Sequence, residues 1–246
     1  ITKRIRSSGV MMGAISGSEP PDQMLSKLRD QPNYDLVNFV DRVTVPKSYQ
    51  WSQSGQYKVA VIDCGVKYNI LRLLESRNCA ITVFPATVTS QEIAEWQPDG
   101  VLFSPGPGDP VHNVATVKTA KEVIGQFPVL GICLGHQVIA RALGATTFKL
   151  KFGHRGGNHP VIDIRTGSVS ITAQNHGYAV NDQDLPDGIV ISHRNLNDGT
   201  VEGFTHKNLP VITIQYHSEA SPGPRDNEHI FDSFIEMIKN HSGVKG

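Results

Sequence analysis

Val129-Leu130-Gly131-Ile132-Cys133-Leu134-Gly135-His136-Gln137 sets a short apolar run directly against a Gly-x-Cys-x-Gly turn, and a helix pattern, Val138–Leu143, follows it. A strand that turns sharply into a helix through such a motif is a nucleophile elbow, here with cysteine in place of serine. The turn is tight, so the residues flanking the cysteine are glycines. It lifts the sulfur above the carboxyl end of a sheet and sets it at a helix N-terminus, where the positive end of the dipole favours a thiolate.

Working outward from this stretch, strands and helices alternate. Tyr57–Asp63 is a short apolar strand pattern. Residues 67–77 carry Ile70, Leu71, Leu73 and Leu74 at helical spacing. Ala80–Phe84 is a second strand, and Thr89 with Glu92 forms a capping-box pattern ahead of Ile93 and Trp96. Gly100–Phe103 is a third strand, residues 114–125 a helix and Val129–Ile132 a fourth strand. Alternation of this kind predicts an α/β fold, with a mostly parallel open sheet covered by helices on both faces. Beyond residue 146 the pattern turns strand-rich: Thr146–Lys151, Val161–Ile164, Val169–Ala173, Ile189–Ser192, Val201–Phe204 and Val211–Tyr216. An amphipathic helix over 227–240 closes the chain.

Residues 1–56 read differently. A basic helix pattern from Ile1 to Ser8 ends at Gly9, residues 22–30 are helical, and residues 31–56 show no periodicity and hold Pro32, Pro46 and Gly55. They read as a linker or wrapping segment, which puts a boundary between 1–56 and 57–246. The chain opens without an initiator methionine, so a fragment or processed chain is expected.

The 246 residues carry 23 Lys+Arg against 23 Asp+Glu, so no basic surplus exists to bind nucleic acid. No window approaches the apolar length of a membrane span. Three cysteines and no signal peptide point to a reducing compartment, the cytoplasm. No His/Cys spacing fits a zinc motif, so no metal is expected.

A catalytic thiol needs a base, and the base an orienting group. Among ten histidines, His217 stands out in Tyr216-His217-Ser218-Glu219. In an extended segment, residues two apart leave on the same side, so Glu219 could hold the imidazole while its other nitrogen faces the thiol. Two loops look shaped for a ligand: Ser104-Pro105-Gly106-Pro107-Gly108-Asp109-Pro110, whose rigid backbone suits an oxyanion hole, and Gln174-Asn175-His176-Gly177-Tyr178. His136, His154, His159 and His176 lie in glycine-rich loops that could reach the same site. Cys64 and Cys79 read as structural.

Together, Pro105–Pro110, Gly131–Gln137 and His217-x-Glu219 resemble a class I glutamine amidotransferase domain, a flavodoxin-like α/β fold. Phe152–Pro160, Gln174–Tyr178 and Glu219–Pro224 are similar to the small, glutamine-hydrolysing subunit of carbamoyl-phosphate synthases. The resemblance covers residues 57–240, and residues 1–56 resemble the end of that subunit's N-terminal domain and its linker.

What the resemblance implies is a glutaminase. Cys133 would attack the side-chain amide, with His217 as base and Glu219 orienting it, and a glutamyl thioester would form. The Leu134 N–H and a donor from Gly106–Gly108 would hold the oxyanion. Gln137, Asn175, Gly177 and Tyr178 would hold the amino-acid end. Ammonia would pass to a large subunit that makes carbamoyl phosphate from bicarbonate and ATP, for arginine or pyrimidine synthesis. No cofactor is expected on this chain, since ATP and its metal ions belong to the large subunit. The family usually has His-Pro-Glu where Ser218 stands here, which predicts a changed rate rather than lost chemistry. Two other readings fit the same residues. One is a docking subunit without catalytic activity; the other is a cysteine hydrolase of another small amide.

Overall fold

The computed structural model describes residues 2–9 and 11–242. Ile1, where the expected opening helix begins, lies outside them. Helix α1 spans Thr2–Ser8 and α2 Pro21–Arg29; α3 is a single turn, Val40–Val43. The body holds ten strands: β1 (Tyr49–Ser52), β2 (Tyr57–Asp63), β3 (Cys79–Pro85), β4 (Gly100–Phe103), β5 (Val129–Ile132), β6 (Thr147–Asp163), β7 (Val169–Val180), β8 (Ile189–Asn195), β9 (Val201–His206) and β10 (Val211–Ile214). Its helices are α4 (Tyr68–Glu75), α5 (Ser90–Trp96), α6 (Val114–Val123), α7 (Leu134–Ala142) and α8 (His229–Ser242).

The strands form one sheet in the order β1-β3-β2-β4-β5-β10-β9-β8-β6-β7. The block β3-β2-β4-β5-β10 is parallel, and every pairing outside it is antiparallel. The fold is thus α/β, as the alternation predicts. Period-two alternation explains the two-sided burial. Ala60, Ile62, Val101, Phe103 and Val129 face α5, α6 and α7 through Ile93, Ala120, Val123, Val138 and Ile139. Val59, Val61, Leu102, Leu130 and Ile132 face α4 and α8 through Ile70, Leu74, Phe231, Phe234 and Ile238. All of these side chains are buried. The Thr89–Glu92 capping box forms, each side chain meeting the other's backbone N–H. Among the described residues, no helix is long and apolar enough to cross a membrane.

The linker or wrapping segment 31–56 carries an element that shows no periodicity in the sequence: Tyr49–Ser52 adds an antiparallel edge strand to β3, four residues too short and polar to show it. Two expectations need correcting. Farther along, Phe152–Pro160 and Gln174–Tyr178 are not loops but the paired middles of β6 and β7. Their glycines signal bends: Gly153 and Gly156 take positive φ (68° and 118°) where the β6–β7 register shifts. Finally, β10 ends at Ile214, so His217 and Glu219 sit beyond the strand, with Glu219 in a turn that brings its carboxylate back to the ring.

Candidate active site

The carboxyl ends of β2, β4, β5 and β10 meet at one edge of the parallel block, the place where open α/β sheets bind ligands. Cys133 follows β5 as the residue capping α7, with φ 55° and ψ −105°. This strained geometry is sterically enforced on both sides. A Cβ on Gly131 would lie 2.5 Å from Ile139 Cδ1, and one on Gly135 would lie 2.1 Å from Phe103 O. The elbow is therefore pressed against β4, and the first-turn N–H groups of α7, beginning at Leu134, have no partner within the helix.

His217 follows β10. Its own N–H donates to Ala173 O of β7 (2.9 Å). Because a carboxylate only accepts, the 2.7 Å contact from His217 Nδ1 to Glu219 Oε1 puts the proton on Nδ1 and leaves Nε2 for the Cys133 sulfur, which interacts with the ring. Burial pushes the imidazole pKa down. The Cys133 sulfur and the Glu219 carboxylate outweigh this and raise it to about 10. Glu219 is fully buried. Burial raises its pKa, but the hydrogen bond and charge of His217, with the charge of Lys67, hold it below the usual carboxylate value.

Two residues that sequence reading missed support this turn. Lys67 Nζ lies 3.0 Å from Glu219 Oε1 and also reaches Ala220 O, and Asn69 Nδ2 donates to Glu219 O. Neither belongs to a motif, and only the fold brings them to residue 219. Ser218 is buried, and its Oγ has no partner among the described residues.

His217 carries a pH signature. A pKa raised from 6.5 to about 10 contributes stability that is complete below pH 6.5 and is lost as pH climbs towards 10. The Tm advantage of the native chain over a His217→Gln variant is expected to shrink across that window. A constant difference from pH 6.5 to 10 in thermal scans would contradict the assignment.

The sulfur and imidazole open into a cleft of about 970 Å³. Gly106, Gly108, Leu134, Gln137, Asn175, Gly177 and Tyr178 all line it. A Cβ on Gly106 would meet Cys64 O at 2.3 Å and Leu134 Cδ2 at 2.6 Å, so the 104–110 loop lies against the start of α7. Ser104 ties that loop to β2, its Oγ accepting from Cys64 N (2.9 Å) and donating to Pro105 O (2.9 Å). Both N–H groups of Gln137 are spent, on Tyr178 O (2.8 Å) and Gln215 Oε1 (2.8 Å), which leaves its carbonyl oxygen for a ligand.

The remaining candidates separate. His176 lines the cleft and is held by Tyr178 O (2.7 Å) and Gln174 Oε1 (2.9 Å), and burial lowers its pKa to about 4. His136 instead points away into the core, 2.8 Å from Thr213 Oγ1. His154, His176 and Glu202 bring one donor atom each within 4.8 Å of one another. These side chains already serve a hydrogen-bond network: Glu202 accepts from Asn195 (2.9 Å) and Gln174 (2.8 Å), His154 Nδ1 lies 3.3 Å from Glu202 Oε1, and His154 Nε2 binds Asp198 (2.8 Å). The group satisfies itself as a polar core beneath β6 and β7. Cys64 and Cys79 are free and buried, with pKa values pushed up to about 12 by burial, which makes them unreactive thiols.

The segment 31–39 also reaches the cleft. Asp35 sits in a 3₁₀ turn, Tyr34–Leu36, whose entry is capped by Asn33. One of its carboxylate oxygens accepts from Tyr178 Oη (2.9 Å), the other pairs with Lys149, and its carbonyl meets His112 Nε2 (2.7 Å).

An elbow cysteine facing a carboxylate-held histidine, at the carboxyl edge of a parallel sheet, defines a class of thiol-dependent α/β enzymes. The class-I glutamine amidotransferase family model matches residues 60–237, so the chain belongs to that family. Within the family it belongs with the carbamoyl phosphate synthase small chains. It is 44% identical to that of Akkermansia muciniphila over 97% of this chain and 67% of the relative. It is 45% identical to the chloroplastic small chain of Oryza sativa over 98% of this chain but 57% of the relative, so it spans little more than half of that protein's length. A Thermoplasma acidophilum structure described as part of a GMP synthase superposes with a TM-score of 0.67 at 25% identity, covering 77% of this chain and 97% of that one.

Proposed function

We propose that this chain is the glutaminase subunit of a carbamoyl-phosphate synthase. The observation that carries the reading is the Cys133–His217–Glu219 line, with the imidazole proton fixed by the 2.7 Å contact to Glu219. At neutral pH the raised pKa of His217 keeps the proton on the ring, beside the sulfur. Cys133 Sγ attacks the amide carbon of glutamine and the negative charge moves to the oxygen. The Leu134 N–H and a donor of the Gly106–Gly108 loop hold that oxyanion. The C–N bond breaks, and the nitrogen takes the His217 proton and leaves as ammonia. Water then gives a proton back to His217 and attacks the thioester, releasing glutamate. Gln137, Asn175, Gly177 and Tyr178 hold the amino-acid end.

The ammonia passes to a large subunit, where ATP and bicarbonate are used. This part rests on the relatives' designation as small chains. Residues 1–56 are read as the end of an N-terminal domain and its linker, consistent with a family match that begins at residue 60. Three free, buried cysteines favour a reducing compartment, the cytoplasm.

The test is covalent capture. A glutamine-like chloroketone is expected to label Cys133 alone, with glutamine protecting it, as read by peptide mass. Labelling without glutamine protection, or labelling spread over Cys64 and Cys79, would refute the proposal.

A further inference from the structure

The loop that supplies the second oxyanion donor has little means of holding itself. Pro105, Pro107 and Pro110 have no N–H to give, and among the described residues the N–H groups of Gly106 and Gly108 meet no backbone acceptor. Its position is set from outside. On one side stand the turn at residues 64–65 and the start of α7: a Cβ on Gly65 would lie 3.2 Å from Gly106 Cα, and Gly106 is close against Cys64 O and Leu134. On the other side runs the segment 33–40. A Cβ on Gly108 would lie 3.3 Å from Phe39 Cδ2 and 3.7 Å from Val37 O, so this segment lies directly on the loop. We infer that Asp35 is a positioning residue of the oxyanion hole: it clasps the upstream end of this segment, so that Val37 and Phe39 hold the Gly106–Gly108 loop against the start of α7. The inference rests on the glutaminase reading of the Cys133 site.

The two ends of the segment are held by different means. Downstream, Val40 is buried in the core, Thr44 Oγ1 accepts from Ala86 N (2.8 Å) and Val45 N donates to Asp63 Oδ2 (2.8 Å), so that end is fixed to the sheet. Upstream, residues 31–36 carry no buried side chain. Among the described residues, the hydrogen bonds and ion pairs that tie them to the body all meet at Asp35. Tyr178 Oη of β7 donates to one carboxylate oxygen (2.9 Å), and Lys149 of β6 pairs with the other. The third bond reaches the oxyanion loop itself. A carbonyl only accepts, so His112 Nε2 donates to Asp35 O (2.7 Å). His112 ends the 3₁₀ turn Pro110–His112, whose entry Asp109 caps by accepting from Val111 N (2.9 Å). Asp35 thus joins the far end of that loop to β6 and β7. Its neighbour Tyr34 packs on Phe39, ring centroids 4.7 Å apart, which fixes the ring that lies over Gly108. The Lys149–Asp35 pair is partly exposed, at 46% and 33% of the two side chains, and a pair this exposed adds little stability. Opening the clasp should therefore loosen the loop without unfolding the chain.

The test uses two variants, Asp35→Ala and His112→Ala, which open the clasp at different bonds, and two readouts. Glutamate release is measured with a large subunit, bicarbonate and ATP present. Each variant is expected to lower kcat about 10-fold, a part of the 10²–10³ that loss of an oxyanion donor costs. KM for glutamine and Tm should stay near the native values. Amide hydrogen exchange, read by peptide mass on the chain alone, should quicken at 109–113, where the His112 and Asn113 N–H groups are bonded to Asp109 O and Pro110 O, and stay native in β5 and α7. His112→Ala leaves the Tyr178 bond to Asp35 in place. A loss confined to Asp35→Ala, or a rise in KM without a fall in kcat, would mean that Asp35 acts through Tyr178 on substrate binding and would overturn the inference. Native exchange at 109–113 in both variants would overturn it as well, as would equal quickening in α7, the mark of general loosening. A native chain that releases no glutamate, yet whose exchange at 109–113 depends on Asp35 and His112, would refute the glutaminase and leave the clasp standing.

Discussion

Glu219→Gln is expected to lower glutamine turnover about 10²–10⁴-fold, the span that a correctly held general base contributes. The reason is in the bonds of one oxygen. Glu219 Oε1 takes both the His217 Nδ1 proton (2.7 Å) and the Lys67 ammonium (3.0 Å). An amide can still present an oxygen there, but it carries no charge to stabilise the imidazolium. Its NH₂ would occupy the place of Oε2, which is buried and has no partner among the described residues. If the amide turned over, its NH₂ would face Nδ1 and Lys67 together, forcing Nδ1 to give up its proton and accept, which excludes the imidazolium. Both arrangements weaken the base and leave the cleft lining intact, so kcat should fall while KM for glutamine moves little. A Glu219→Gln chain with native kcat would remove Glu219 from the mechanism.

Gly135→Ala is expected to destabilise the fold by at least about 2 kcal/mol and to suppress activity with it. Two effects compete. Alanine is favoured over glycine inside a helix by about 1 kcal/mol. Against this, the new Cβ would stand 2.1 Å from Phe103 O and 2.7 Å from Phe103 C. Those are backbone atoms of β4 that cannot swing aside, which puts the clash at or above the top of the usual overpacking range of about 1–3 kcal/mol. The clash wins, and its relief must push α7 away from the sheet and carry Cys133 with it. A 1 Å displacement of a reacting group is itself worth about 10² in rate. Gly13→Ala is the matched control, since a Cβ there has nothing within 4 Å. Equal Tm values for the two variants would mean that the elbow does not depend on this contact.

These two residues also show which parts of the site could be seen in the sequence. The elbow was legible because its geometry demands glycine on both sides of one cysteine, and that demand is local. The parallel strands were legible for the same reason. Tyr57–Asp63, Gly100–Phe103 and Val129–Ile132 are buried on both faces and read as continuous apolar runs, and their observed limits match the expected ones. Local patterning failed where long strands bend. Glycine at 153 and 156 permits positive φ inside β6, and such glycines look like loop residues until the partner strand is known. The pairing of His217 with Glu219 was expected from an extended segment, but a turn makes the contact instead. Lys67, Asn69 and Asp35 carry no motif at all. Lys67 reaches residue 220 across 153 positions of sequence and Asn69 reaches residue 219 across 150, and Asp35 reaches Tyr178 across 143. Charge chemistry at that separation becomes visible only after the sheet has brought the ends of its strands together.

The most direct measurement is glutamate release from glutamine by this chain and by its Cys133→Ser variant, each with and without a carbamoyl-phosphate synthase large subunit, bicarbonate and ATP. The account predicts release that requires Cys133 and rises when the large subunit is present. Release that survives Cys133→Ser, or a folded native chain that releases no glutamate under any of these conditions, would contradict it.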